Sequence, residues 1–162
     1  MSDLSSEPDP GDAEQLAQVV LGAARALFRV ISVSLAPALD AVTISQLRAL
    51  VLMSQEGPVR IGALAERLGV HQSTFTRTTD RMVTAGLVAR LENPDNRREV
   101  LVAPTEDGRR LLLTIFERRR AEIAAVLARL SVEESAGLLA GLEAFTRAAG
   151  DPDVDSLALL GG

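Results

Sequence analysis

At 162 residues the chain is long enough to bury one sizeable core, and 47% of its residues are apolar although only four are aromatic, all of them phenylalanine. The absence of cysteine excludes a disulfide framework, a thiolate metal site and a thiol redox switch. A net charge of −5 argues against a polyanionic partner until the charge is mapped along the chain. All 17 basic residues are arginine. Residues 1–57 hold three arginines against seven acids and residues 111–162 hold five against eight, whereas residues 58–110 hold nine against seven. The middle third is basic between two acidic flanks, which is where a basic patch has to be judged.

Residues 1–11, rich in Ser, Asp, Glu and Pro, read as a disordered tail. "DAEQ" at 12–15 has the form of a capping box, and Leu16, Val19, Val20, Ala23, Leu27, Val30 and Ile31 follow at helical spacing until Pro37. "TISQ" at 43–46 is a second capping box, opening a helix with Leu47, Leu50 and Val51 inward and stopped by Gly57-Pro58. "IGALAERL" at 61–68 is a short helix ended by Gly69, and residues 71–85 form the next, ended by Gly86. "LVARL" and "EVLVAP" are strand-type runs around the polar turn "ENPDNRR", a hairpin pattern. Thr105 then caps a long helix to about residue 130, and "SVEE" at 131–134 caps a last helix to about Ala149, leaving a tail over 150–162. No run reaches the length of a membrane span, and "MSDLSSEPDPGD" lacks a basic, apolar leader, so the expectation is a soluble cytoplasmic protein with no membrane partner.

Helix, short helix, helix and two-stranded hairpin is the order of a winged helix-turn-helix, so the expected fold is mainly α with a small β-hairpin wing. Ala65 is small where two helices must cross closely, Gly69 permits the tight turn, and Leu64, Leu68 and Val70 fill the space between. With Phe75 at zero and about 100° per residue, Met82 and Thr79 share its inward side, whereas Ser73, Arg77 and Thr84 fall opposite with Thr74 and Arg81 beside them. Hydroxyls and guanidinium groups in one outward stripe serve a packed core poorly. They suit a DNA major groove, in which Arg reads guanine bidentately and Ser or Thr reaches bases, phosphates or thymine methyls. Ser73, Thr74, Thr76, Arg77 and Arg81 are the candidate contacts, and Arg97 and Arg98 in the hairpin turn are candidates for the minor groove.

These stretches resemble the MarR family of transcriptional regulators over roughly residues 12–149. The resemblance is carried by Ile44, Gln46, Leu47 and Leu50, then "LAERLGV", "STFTRTTDRMVTAGLV" and the wing "RLENPDNRREVLVAPTEDG". It implies a homodimer held by the N-terminal helix and the last two helices, a pseudo-palindromic operator, and often release by a small aromatic or phenolic ligand. By the same resemblance Arg98 matches the wing-tip arginine and Asp80 the acidic residue of the recognition helix. The chain departs from the pattern at Asn96, where an acid is usual two residues before the wing arginine, and at Pro104, where leucine is usual; Asp95 or Asp80 would then complete the wing's internal ion pair. The domains that follow are residues 12–36 and 105–149 for dimerisation and residues 43–103 for the DNA-binding lobe. The family's ligand pocket between them would draw on Arg25 and Arg29 for a carboxylate and on Phe28 and Met53 for an apolar wall.

Dimerisation also has support in the residues themselves. The first helix carries apolar residues beyond a single stripe, a helix over 105–130 would span about 39 Å, and Leu138, Leu139, Leu142 and Phe145 add a further stripe. Catalytic chemistry has little to stand on: His71 is the sole histidine, without a Ser or carboxylate dyad, and fits a cap or a phosphate contact. No metal spacing and no cofactor motif is present. The run Glu117, Arg118, Arg119, Arg120 reads as a solvated face pairing with Glu122 and its neighbours. The sequence therefore points to a regulator, more a repressor than an activator, with a protein-interaction module that has lost DNA binding as the alternative from another class.

Overall fold

The computed structural model describes residues 10–94, 96 and 99–150. In chain order these form α1 (Pro10–Leu39), α2 (Ile44–Glu56), β1 (Val59–Arg60), α3 (Ile61–Arg67), α4 (Gln72–Thr84), β2 (Val88–Glu92), β3 (Val100–Pro104), α5 (Glu106–Leu127) and α6 (Val132–Ala149). The architecture is mainly helical with a small antiparallel sheet, and α2, α3, α4 and the β2–β3 hairpin make the winged helix-turn-helix. The tails expected over residues 1–11 and 150–162 lie outside the described residues, except that Pro10 and Gly11 open α1 and Gly150 closes α6.

Local signals set most boundaries. Thr43 and Ser131 form two of the three expected capping boxes, with Gln46 and Glu134, each side chain satisfying the other residue's amide. The Glu134 carboxylate accepts from the Ser131 amide at 2.7 Å, and that bond holds it below the usual glutamate range. The turns after α3 and α4 are both Schellman motifs. Val70 and Leu87 donate to Ala65 and Met82, Gly69 and Gly86 donate to Glu66 and Val83, and both glycines have positive φ (65° and 74°).

Four expectations are corrected. The helix begins at Pro10, so Asp12 lies in its first turn rather than at its cap, where its charge meets the helix's positive end. It also continues through Pro37 to Leu39. Pro37 withholds an amide from the Val33 carbonyl, but one turn from the end this removes a single bond, and burial of Leu35 and Ala38 offsets it. The hairpin gains β1, giving a three-stranded sheet in the order β1-β3-β2; two residues after Gly57-Pro58 are too few to show alternation. Finally, α1 is long and apolar enough to cross a membrane by length and composition, which the sequence reading had excluded. Its second half instead packs into the protein core through Val30, Ile31, Leu35 and Ala38.

The core is built around α2, whose Leu47, Leu50, Leu52 and Met53 are almost wholly buried against Leu64, Phe75, Met82 and Val102, with Ile31 and Leu112 closing it. Each such side chain contributes about 1.5–3 kcal/mol by leaving water. The first half of α1 does not join this core: Leu16, Val19 and Leu27 are exposed, and none of the residues of α6 is buried.

Besides the packing of Leu112 and Ile115, the start of α5 approaches the lobe's backbone closely. Leu87 O accepts from the Thr105 amide at 3.0 Å, Thr105 Oγ1 donates to Gly86 O at 2.5 Å, and the same hydroxyl accepts from the Gly108 amide at 3.1 Å. A Cβ placed on Gly108 would lie 2.2 Å from Leu87 O. Gly108→Ala should therefore destabilise the protein by about 1–3 kcal/mol through overpacking, despite alanine's better helix propensity. Thermal denaturation should show a fall of roughly 2–12 °C, and an unchanged or raised melting temperature would refute the contact.

Candidate nucleic-acid interface

His71, whose backbone is extended, caps α4. Its Nδ1 accepts from the Ser73 amide at 3.4 Å and lies within hydrogen-bond distance, 2.9 Å, of the Ser73 hydroxyl. Capping sets the start of the helix, and its faces follow from the periodicity. Phe75, Thr79 and Met82 are buried, and Thr79 Oγ1 is satisfied by Phe75 O at 3.0 Å. Ser73, Thr74, Arg77, Asp80, Arg81 and Thr84 are exposed on the far side.

Within that outward stripe the polar groups are not equivalent. Thr84 Oγ1 donates to Asp80 O at 2.9 Å, and on the flanks Thr76 and Thr78 donate to Gln72 O and Thr74 O. Asp80 is ion-paired with Arg90 of β2. The Thr74 hydroxyl and the Arg77 and Arg81 guanidinium groups have no hydrogen-bond or ion-pair partner among the described residues. Thr76 is half-buried and lines a groove of about 500 Å³ with Arg60, Gly62, Gln72 and Glu99, so it borders the stripe rather than standing on it.

The wing is tied to the helical lobe from both sides. Arg90 binds Asp80, while Glu99 accepts from Arg60 of β1 at 3.5 Å and from Asn93 Nδ2 at 3.1 Å. Asp80 thus pairs with Arg90, a residue the sequence reading missed. The i+10 separation crosses a turn and two elements, so no local periodicity exposes it. Pro104 ends β3 opposite Val88, a strand-terminal position where its missing amide is tolerated. Asp95, Arg97 and Arg98 lie outside the described residues.

The expected ligand set separates. Arg25, Phe28 and Arg29 stand exposed on α1, with Phe28 at 70% exposure, but Met53 is sealed in the core at 2% and cannot form a wall to them without repacking. The solvated arginine run is also corrected. Arg119 is only 6% exposed, lying between α5 and α1 with Nε donating to Ser34 Oγ at 3.3 Å and its guanidinium 5.9 Å above the Phe116 ring. Burial lowers its pKa from the ordinary arginine value. The signal available beforehand was spacing: Leu112, Ile115 and Arg119 fall on one helical face.

Comparison with known proteins agrees with this architecture. The sequence model of the MarR family matches residues 42–100. The crystal structure of RV1404 from Mycobacterium tuberculosis is 36% identical, with 92% of this chain and 100% of that one covered at a TM-score of 0.76. From Bacillus subtilis (strain 168), the HTH-type transcriptional regulator YfiV is 28% identical over 66% of this chain and 67% of its own. The HTH-type transcriptional repressor MdtR of the same strain is 29% identical over 75% and 80%.

The Asp80–Arg90 pair is about half exposed on each side, so it should orient the wing more than it stabilises the fold. A double-mutant cycle with Asp80→Ala and Arg90→Ala, read by denaturant unfolding, should give a coupling of at most about 1 kcal/mol. A coupling of several kcal/mol would mean that the pair behaves as a buried one.

Proposed function

The chain belongs to the MarR family of winged helix-turn-helix transcriptional regulators, and on that premise we propose that it binds a pseudo-palindromic DNA operator as a homodimer and represses transcription in the cytoplasm. The observation that carries the DNA reading is the division of α4, with Phe75, Thr79 and Met82 buried and Arg77 and Arg81 exposed opposite them, without an ion-pair partner among the described residues. A helix of that kind fits the major groove, where its guanidinium groups meet guanine edges or phosphates. Arg97 and Arg98 are proposed to reach the adjacent minor groove. The likeness to MdtR, named a repressor, supports that direction of control.

The homodimer reading rests on apolar surface left over. Leu16 is 64% exposed, Val19 and Leu27 accompany it, and Leu139, Leu142 and Phe145 project from an α6 with no buried residue. A second copy of residues 12–36 and 105–149 would cover both stripes and set two α4 helices on half-sites about 34 Å apart. A small aromatic or phenolic effector would meet Arg25, Phe28 and Arg29 on α1. The net charge of −5 favours a second reading, a winged-helix interaction module without DNA affinity.

Gel retardation with the duplex upstream of its own coding region separates the two readings. A regulator should retard it, with affinity falling steeply between about 50 and 200 mM salt as phosphate contacts are lost. No retardation at low salt would favour the interaction module.

Light scattering should return about twice 17.2 kDa without DNA. Leu16→Glu should lower that mass to the single chain and abolish operator binding, since a charge in an apolar seam costs several kcal/mol. In a monomer Leu16 is a surface position, so an unaltered mass and affinity in Leu16→Glu would refute this seam, and a wild-type mass near 17.2 kDa would defeat the dimer proposal.

A further inference from the structure

Resting on the DNA-binding reading, we propose that α4 reads base identity through Thr74, Arg77 and Arg81 alone, and that Ser73, Asp80 and Thr84, although equally outward, are framework. The division follows from where each polar proton is already spent. Phosphate oxygens, guanine O6 and N7, adenine N7 and thymine O4 are all acceptors, so most groove contacts require a protein donor. The Ser73 hydroxyl is hydrogen-bonded to His71 Nδ1, and the Thr84 hydroxyl donates to Asp80 O. Either could donate to DNA only by surrendering a bond that holds the helix cap or the helix turn. Asp80 is an acceptor already bound to Arg90.

Thr74, Arg77 and Arg81 carry no such commitment among the described residues. They also lie together. At about 100° per residue they fall within roughly 60° of one another, and at about 1.5 Å per residue the seven steps from Thr74 to Arg81 span about 10 Å, roughly three base-pair steps. One free hydroxyl and two free guanidinium groups on a single short ridge therefore specify a compact half-site core. It should hold two guanine positions, read by Arg77 and Arg81, and one acceptor-bearing position at the end facing Thr74.

Selection from a pool of random duplexes by the full-length protein and its variants, followed by sequencing, tests this. Arg77→Ala and Arg81→Ala should each relax a different guanine preference by about 5- to 150-fold. Thr74→Val should relax a third position by about 2- to 12-fold, the range of one neutral hydrogen bond, while Thr74→Ser retains it. Thr84→Val should select the wild-type motif. A preference lost in Thr84→Val, or a motif intact in both Thr74→Val and Thr74→Ala, overturns the assignment. A wild-type protein that enriches no motif overturns the DNA reading itself, an outcome distinct from a motif that maps to other side chains. All four positions are exposed, and a melting curve for each variant separates misfolding from altered reading.

Discussion

The carbonyl of Leu87 is the point on which the remaining geometry depends. Three elements meet there: α4 ends in the Schellman turn that places Leu87, β2 starts one residue later, and α5 lays its first turn across the same oxygen. Thr105 closes the junction by binding Leu87 O through its amide, Gly86 O through its hydroxyl proton and Gly108 N through its hydroxyl oxygen. The approach leaves no room for a Cβ at residue 108. Because packed interiors transmit small shifts rather than absorbing them, a change in the direction of α5 is passed to the end of α4 and to the wing.

The same economy of satisfied polar groups governs the outward face of α4. A threonine-rich helix is a weak helix by propensity, and its hydroxyls compete for backbone carbonyls. In Thr76, Thr78 and Thr84 that competition resolves into i−4 bonds within the helix, which leaves methyl groups and lone pairs on the outside. Arg90 neutralises Asp80, so the one acid of the stripe is held toward the wing. What remains to interact with a partner is narrower and more basic than the sequence alone implies.

The parts of the fold that were legible in the sequence are those decided within a few residues. Capping boxes at Thr43 and Ser131, glycines at 69 and 86, and the inward stripe of Phe75, Thr79 and Met82 all follow from short-range chemistry, and they are found where expected. The residues that escaped depend on distant partners. Arg119 looks solvated in a run of charges, yet the packing of α1 on α5 buries it beside Ser34, 85 positions away. Arg90 and β1 escaped for the same reason, since a pairing partner on another element leaves no periodic trace. Met53 was misjudged in the opposite sense. Its helical position was clear, but α2 is surrounded on nearly all sides, so a side chain expected at a pocket wall is core.

Arg119 links these observations to assembly. A guanidinium taken out of water is costly unless it is bonded, and this one is held by Ser34 Oγ and the face of Phe116. The bond fixes the second half of α1 against the middle of α5, just where both helices leave the core. Beyond it, the first half of α1 and all of α6 present apolar residues to the outside. The buried arginine therefore stands at the boundary between a self-contained lobe and a helical extension that the lobe does not cover. Together with the Leu87 junction, it fixes α5 between the exposed apolar extension and the end of α4. In the proposed dimer, α5 and its two anchors would then carry the spacing of the two α4 helices.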